Sequence, residues 1–136
     1  MLPFSEACKR NKGPILEVLR KVFSKTESVL EIGSGTGQHA VHFSTHLSHL
    51  VWQPSELGER VAMLKSRIDL EGPENLLPAK ELDVLRNNWE LEKTDAVFIA
   101  NVFHIAPLEV MHTCLKGTSK CLKHLGIFCY GPFRYE

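Results

Sequence analysis

An excess of charge of one sign, long apolar runs and closely paired cysteines are all absent from this 136-residue sequence. Its 16 basic and 16 acidic residues balance, so there is no electrostatic footprint for DNA, RNA or an anionic membrane. No apolar run approaches the roughly 20 residues that a membrane span needs. We therefore predict a single domain over residues 1–136, with neither a nucleic acid nor a membrane as partner.

The four cysteines, Cys8, Cys114, Cys121 and Cys129, form no C-x-x-C pair. Residues 1–13 also lack the apolar core of a secretory signal peptide. Both absences favour a reducing compartment. We therefore expect free thiols, mostly buried, in a protein of the cytosol, with the nucleus left open.

Hydrophobic segments of two different periods alternate along the chain. Short runs rich in β-branched residues predict five strands, at residues 28–32, 50–52, 76–82, 96–100 and 127–130. Helical spacing predicts four helices: one with Pro14 in its first turn, and others over residues 38–47, 61–70 and 108–125, the last stopped by Gly126. Strands separated by helices predict an α/β fold, a mostly parallel sheet with helices on both faces. Ligands bind such sheets at the carboxyl ends of the strands.

The sharpest motif is V-L-E-I-G-S-G-T-G-Q-H, in which Gly33, Gly35 and Gly37 stand between the first predicted strand and a helix. Without a Cβ, glycine allows a positive φ and the close approach of a ligand, and the free N–H groups of the following helix point at that ligand. This context makes a plain glycine-rich turn the weaker alternative. We predict that the loop, with Ser34, binds a cofactor.

The spacing of this glycine loop separates the possible cofactors. A dinucleotide fingerprint is G-x-G-x-x-G, whereas the third glycine here comes one residue early and Gln38 stands where that pattern needs glycine. The lysine of a phosphate-binding P-loop is missing as well. Glu31, two residues before Gly33, would repel a phosphate but suits a cofactor with cationic groups. The E-x-G-x-G-x-G arrangement resembles motif I of class I S-adenosylmethionine-dependent methyltransferases, which implies a Rossmann-like fold and S-adenosylmethionine as cofactor.

Acidic residues follow the next two predicted strands. An adenosine site needs a carboxylate for the ribose diol about 20 residues beyond the glycine loop, and Glu56 is the candidate. Three residues separate it from the predicted strand, so its register against Ser55 is open, and a solvated glutamate is the alternative. The methyltransferase resemblance assigns the adenine amino group to Asp83 and a ring nitrogen to the backbone N–H of Val84. An aspartate in an ordinary turn is the alternative for Asp83.

The fourth predicted strand runs into N-V-F-H-I-A-P, where the resemblance places the reacting methyl group. The segment lacks the [DN]-P-P-[YFW] motif of methyltransferases that act on nucleic-acid or amide amino groups, and it looks more like those that act on small molecules. His104 is a candidate catalytic base because an unperturbed histidine titrates near neutral pH, although shaping the pocket is the commoner role. Asn101 is a candidate for the methionine end of the cofactor or for a strand cap.

Four histidines, His39, His42, His46 and His49, are spaced three, four and three residues apart, which on a helix would place them in one stripe. A metal-binding or pH-sensing face is one interpretation. The helix also carries an apolar stripe beside them, and no carboxylate or cysteine completes a metal site. We therefore predict boundary residues and no metal.

Longer segments are similar to one family. S-E-A-C-K-R-N-K-G-P-I-L-E-V-L, L-E-I-G-S-G-T-G-Q-H-A-V-H-F, W-Q-P-S-E, L-D-V and Y-G-P-F together resemble the family that includes methyltransferase-like protein 26. The resemblance implies a class I methyltransferase fold without a particular substrate, and it places Asn11 and Lys12 ahead of the first helix, where they would cover the cofactor pocket. It also implies a longer chain. We therefore expect the last two strands of a seven-stranded sheet to be missing and the free edge of strand five to recruit a second copy.

Three functions stay open on the sequence alone. The first is an S-adenosylmethionine-dependent methyltransferase, or its cofactor half, acting on a small molecule or an unknown acceptor. Positioning an activated methyl group needs no elaborate acid–base apparatus, so the lack of a catalytic dyad does not argue against it. The second is a catalytically inactive binding module, and the third is a nicotinamide-dependent oxidoreductase, which the glycine spacing disfavours.

Overall fold

The structure is a computed structural model that describes residues 2–86, 88–100 and 108–131. At its centre is a parallel sheet in the order β3-β2-β1-β4-β5. The strands are β1 (Ser28–Glu31), β2 (Val51–Glu56), β3 (Lys80–Glu81), β4 (Thr94–Ile99) and β5 (Leu122–Tyr130). The helices are α1 (Glu6–Val22), α2 (Gln38–His46), α3 (Val61–Glu71) and α4 (Leu108–Cys121), with a 3-10 turn at Gly58–Arg60. The strand order reverses between β1 and β4, which is where doubly wound sheets bind their ligands.

Helices cover both faces of the sheet. Neighbouring strand residues point to opposite faces, so Val29 and Leu30 of β1 enter different cores. Val29 packs in a core that α1 and α2 share with the sheet. Leu30 packs in a second core with Trp89 and the buried cysteines of α4. The predicted fold class, a Rossmann-like α/β sheet with helices on both faces, is confirmed.

Three aromatic rings join α2 to the centre of the sheet. Phe43 of α2, Trp52 of β2 and Phe98 of β4 are fully buried, and their ring centroids lie 5.7–5.8 Å apart in all three pairs. Such tilted and edge-to-face pairs add to the apolar burial of each ring. The first core is therefore fixed at the point where β1, β2 and β4 lie side by side.

The first helix begins earlier than predicted. α1 starts at Glu6, after Ser5, whose side-chain oxygen accepts a backbone N–H of the first turn at 3.2 Å. Pro14 lies inside the helix rather than in its first turn. A proline there removes one backbone hydrogen bond, but the burial of the apolar face of α1 outweighs that cost. Asn11 and Lys12 therefore belong to α1 and do not precede it, which corrects their predicted place.

The second strand is longer than predicted and takes in the whole W-Q-P-S-E segment. Pro54 does not end it: the residue stays in register with Glu31 of β1, and β2 continues to Glu56. Glu56 therefore stands at the carboxyl end of its strand, with Ser55 one residue before it, and the choice between them for a ribose stays a prediction.

The third strand is shorter than predicted. Residues 76–82 supply only Lys80–Glu81 and one bridge between Leu76 and Trp52. The N–H of Leu77 still bonds to the carbonyl of Trp52 at 2.9 Å, but Pro78 has no N–H with which to continue the ladder.

The last helix also ends before its predicted limit. α4 stops at Cys121, because Leu122 pairs with Thr94 as the first residue of β5. The next pair along the ladder joins Ile127 to Ala96, so residues 123–126 form a bulge in the strand. Leu125, in this bulge, has a φ of 64° and is 88% exposed. The prediction of a helix to residue 125 was wrong because strand pairing replaced the last helical turn.

None of the helices in the described ranges is long and apolar enough to cross a membrane. Within the same ranges β5 pairs with β4 alone and forms one edge of the sheet. An unpaired parallel edge offers a row of N–H and C=O groups to another chain.

We predict that the chain self-associates through β5 with a second copy. Light scattering over a concentration series should then show a mass that rises with concentration. Leu125→Lys, which adds a charge beside the edge, should lower that mass, because charge on an edge strand opposes pairing. Leu70→Lys, at another exposed apolar position, on α3, is the matched control. A monomer at every concentration would contradict the prediction.

Candidate functional site

The glycine loop leaves the carboxyl end of β1 and leads into α2. Gly33, Gly35 and Gly37 have φ values of 71°, 57° and 83°, in the left-handed region that favours glycine. A Cβ on Gly37 would meet Leu64 Cδ1 at 3.1 Å, whereas a Cβ on Gly35 would have no atom within 4 Å. Gly37 is therefore required for packing, and Gly35 borders open space into which a ligand can come close to the backbone.

Glu31 lies beneath this loop and is 2% exposed. Its Oε1 accepts hydrogen bonds from the Ser34 hydroxyl at 2.8 Å and from Trp52 Nε1 at 3.2 Å. Burial raises the pKa of the Glu31 carboxyl to about 7, against the lowering effect of these two donors, and the nearby Glu56 adds to the rise. In the described structure Glu31 anchors the loop to the core.

Glu56 holds the loop from the neighbouring strand. Its Oε2 accepts the N–H of Gly35 at 2.8 Å, and its Oε1 accepts the N–H of Leu57 at 2.9 Å. A carboxylate can accept about four hydrogen bonds, so each oxygen keeps capacity for a hydroxyl donor. The predicted ribose ligand thus lies directly beside the glycine that borders the open space.

Ser55, the alternative ribose ligand, is only 1% exposed and serves the interior. Its hydroxyl donates to the carbonyl of Glu31 at 2.5 Å. Its N–H donates to the hydroxyl of Ser34 at 3.1 Å, and its carbonyl accepts the N–H of Ser34 at 2.8 Å. Ser34 and Ser55 therefore join the loop to β2, a role that the sequence did not reveal.

Asp83 and Val84 follow β3 at the same edge of the sheet. Asp83 Oδ1 accepts the N–H of Leu85 at 3.0 Å, and its carbonyl accepts the N–H of Arg86 at 3.1 Å, so the residue lies in a turn. A cavity of about 290 Å³ opens beside Asp83 and is walled partly by Trp89. The turn and the cavity are both present, so the ordinary-turn interpretation and the adenine interpretation of Asp83 both stay open.

The remaining predicted site residues divide into two groups. Asn101 and His104 lie outside the described residues, so their roles stay predictions. Asn11 is buried at 6% exposure within α1, and Lys12 lies near His39 of α2. Neither has the place ahead of the helix that the predicted cover required.

The histidine stripe of α2 runs from a buried to an exposed end. His39 is 5% exposed, and burial, followed by the charges of His42 and Lys12, lowers its pKa to about 4. Burial lowers the pKa of His42 to about 4 as well, with His46 and Lys12 adding to the effect. The described residues hold no group of three or more His, Cys, Asp or Glu side chains suited to a metal. The boundary interpretation fits His46, which is exposed, better than His39.

A larger cavity of about 520 Å³ opens at the other end of the strands, where Ser28, Val51 and Thr94 begin β1, β2 and β4. Volume alone would favour this cavity as the binding site. Ligands of parallel sheets bind at the carboxyl ends, where the backbone is shaped by the three glycines. We therefore assign the candidate site to the glycine loop and not to the larger cavity.

The raised pKa of Glu31 makes stability depend on pH. Between about pH 4.5 and 7 the folded chain keeps the Glu31 proton and the unfolded chain loses it, so folding is favoured as the pH falls through this window. Urea unfolding at about pH 5 and pH 8 should show wild type losing stability relative to Glu31→Gln as the pH rises. His39 and His42 act in the opposite sense, losing stability as the pH falls from about 6.5, but they are common to both proteins and cancel. A pH-independent difference would contradict the prediction.

Solved structures with a similar fold include S-adenosylmethionine-dependent methyltransferases. SibL, in its apo form, is 17% identical with a TM-score of 0.75 over 85% of this chain and 33% of its own. PigF, solved with SAH, is 21% identical with a TM-score of 0.74 over 88% of this chain and 36% of its own. The mitomycin 7-O-methyltransferase MmcR is 13% identical with a TM-score of 0.74, over 95% of this chain and 38% of its own. The chain thus spans about a third of the length of these proteins, and at these identities the likeness is one of fold.

A sequence profile of the family described as protein of unknown function, DUF938, matches residues 2–136. The match covers nearly the whole chain, and the parallel sheet agrees with the fold of the methyltransferase structures. The chain therefore belongs to the DUF938 family and has the Rossmann-like fold of S-adenosylmethionine-dependent methyltransferases.

Proposed function

We propose that this chain binds S-adenosylmethionine at the carboxyl ends of β1, β2 and β3, as the cofactor-binding part of a methyltransferase for a small molecule or another acceptor. The observation that carries the proposal is the open space at Gly35, whose N–H is held at 2.8 Å by the carboxylate of Glu56. These contacts support the proposal because the open backbone position and the acid proposed for the ribose lie side by side.

The chemistry of the site fits this cofactor. The glycine loop can take the methionine end, Glu56 the ribose hydroxyls, and the cavity beside Asp83 the adenine ring, with the Val84 N–H on a ring nitrogen. Two carboxyls, Glu31 and Glu56, lie at the loop and favour a ligand with cationic groups over one with phosphates.

Catalysis in this proposal rests on positioning. S-adenosylmethionine, when bound, supplies a methyl group already activated on a sulfonium. Glu56 would accept hydrogen bonds from the ribose and fix the cofactor along the edge of the sheet, while the loop backbone excludes water on one side. The roles of Asn101 at the methionine end and of His104 as a base remain part of the proposal, as does the kinship with the methyltransferase-like protein 26 family.

The second candidate is a binding module that holds the cofactor without turnover. The chain spans about a third of the length of the similar structures, so the turnover of those whole proteins is not carried over to it. Calorimetry with S-adenosylmethionine, S-adenosylhomocysteine and NAD, followed by a methyl-transfer assay on cell extracts, separates the three functions. Tight NAD binding would reject the methyltransferase proposal.

Gly35→Ala tests the open space directly. The new methyl group meets no protein atom but enters the space proposed for the ligand, so affinity for S-adenosylhomocysteine should fall by about tenfold or more. The positive φ adds a folding cost of about 1–2 kcal/mol, which thermal melts will register separately. Gly13→Ala, a helix glycine whose Cβ also meets no atom within 4 Å, is the matched control. Unchanged affinity in folded Gly35→Ala would contradict the proposed site.

Glu56→Gln tests the ribose assignment. Losing the charge of an acceptor should cost about 1.5–3 kcal/mol of binding, or about tenfold or more in the dissociation constant of S-adenosylhomocysteine. Calorimetry measures the change, and Glu81→Gln, at the end of neighbouring β3, is the matched control. If Ser55→Ala lost binding while Glu56→Gln kept it, the ribose assignment would be wrong.

A further inference from the structure

One buried arginine contacts the glycine loop from a different helix. Arg67, on α3, is 6% exposed, and its Nε donates to the carbonyl of Thr36 at 2.8 Å. The stem of the same side chain packs on the loop: a Cβ on Gly37 would meet Arg67 Cδ at 3.3 Å. The second half of the loop is thus held by both the polar head and the apolar stem of Arg67.

The guanidinium of Arg67 makes two further contacts. Nη1 donates to both carboxylate oxygens of Glu71, at 2.9 and 3.0 Å, and Nη2 donates to the carbonyl of Pro3. A buried guanidinium is stable only when its charge and most of its donors are satisfied. Glu71 supplies the counter-charge and accepts from two of the five donors, and the carbonyls of Thr36 and Pro3 accept from two more. Arg67 therefore joins the residues ahead of α1 to the loop through one rigid group.

Gln38 makes a parallel connection between the same two segments. Its Oε1 accepts the N–H of Ser5 at 2.5 Å, and its Nε2 donates to the carbonyl of Ser5 at 3.2 Å. The same Oε1 accepts the hydroxyl of Thr36 at 2.8 Å. Residues 3–5 and 36–38 are in this way clamped together from two sides.

We propose that Arg67 is a positioning residue for the cofactor, which keeps the Thr36–Gln38 half of the loop in the shape that receives the amino-acid end of S-adenosylmethionine. This inference rests on the proposed function. Arg67 acts through the loop and does not touch the ligand. Glu56, which takes the ribose in the proposed function, belongs to β2 and bonds to Gly35 in the other half of the loop, so the adenosine end depends on Arg67 far less.

The unequal dependence of the two ends of the cofactor is what the experiment measures. Calorimetry compares S-adenosylhomocysteine, which has the amino-acid end, with methylthioadenosine, which lacks it. Arg67→Ala should weaken S-adenosylhomocysteine by about tenfold or more and methylthioadenosine by less than about threefold, a difference that general loss of stability does not produce. Arg67→Lys, which retains the charge but not the fork of donors, should show a smaller loss of the same kind.

Two further variants of this chain complete the test. Gln38→Ala cuts the parallel connection and should show the same preference for loss of S-adenosylhomocysteine, which covers the case that Arg67→Ala does not fold. Arg60→Ala, at an exposed arginine just before α3, is the control and should bind both ligands as wild type does. Without ligand, the rate of amide hydrogen exchange in residues 2–8 and 34–38 should be higher in the Arg67 and Gln38 variants than in wild type, and unchanged in Arg60→Ala.

Equal losses for both ligands, or no loss, would overturn the positioning role of Arg67. If wild type binds neither ligand, the proposed function fails and the cofactor role of Arg67 fails with it. The exchange measurement is independent of that outcome, because unchanged exchange in residues 34–38 shows that the clamp itself does not hold the loop.

Discussion

Glu31 carries its carboxyl group into the interior at the end of β1, where the Ser34 hydroxyl and Trp52 Nε1 both donate to one of its oxygens. Removing a carboxylate from water is costly unless hydrogen bonds replace the lost solvent, and the pKa of about 7 shows that two neutral donors replace it only in part. The two donors have separate consequences. Ser34 belongs to the loop, while Trp52 belongs to the core.

Trp52 connects the loop to the packing of the whole first face. Its ring contacts the rings of both Phe43 of α2 and Phe98 of β4, and its indole N–H donates to Glu31. A shift of the loop would therefore disturb a hydrogen bond at one edge of a ring whose faces are fully packed. Rigid support beneath a glycine-rich loop keeps a binding site in one shape.

Parallel pairing then brings the second carboxylate to the loop. Pro54 stands opposite Glu31, so β2 extends two residues beyond that pair to Glu56, which reaches the N–H of Gly35. The two acids are near enough that Glu56 raises the pKa of Glu31. The loop is thus held from below by a carboxyl of β1 and from the side by a carboxylate of β2.

The sequence predicted those parts of the molecule whose signals are local. The glycine loop, α2 and α3 follow from turn residues and helical spacing within single segments, and they lie where they were predicted, within a residue or two. The predicted start of α1 near Pro14 was wrong because the Ser5 side chain caps the helix just before Glu6, and Pro14 lies inside it. The end of α4 was missed because Leu122 pairs with Thr94, a contact that no local pattern records.

In the candidate site, too, residues with a local signal were predicted and contacts between distant residues were not. Glu31, the glycines and Glu56 were proposed from their spacing, and the register of β2 places Glu56 at the carboxyl end of that strand, while its ribose role stays a prediction. The contacts of Ser55 and Arg67 with the loop were not foreseen, because they join residues 21 and 31 positions apart in the chain. Such pairs carry no periodic signal and emerge only once the sheet and α3 are assembled.

The negative charge of the carboxyls at the loop separates cationic from anionic ligands, which the fold alone does not do. Doubly wound sheets with an acid at the end of β2 bind NAD as well as S-adenosylmethionine, so Glu56 alone does not discriminate between them. Glu31 does, because ionising its carboxyl beneath the loop would repel a pyrophosphate and attract an ammonium group. With a pKa of about 7, a cationic ligand would favour the ionised form of Glu31 and an anionic ligand the protonated form. The glycine spacing and the buried acid therefore both disfavour a dinucleotide, for independent reasons. The third glycine comes too early for the dinucleotide pattern, and the carboxyl of Glu31 would repel the pyrophosphate.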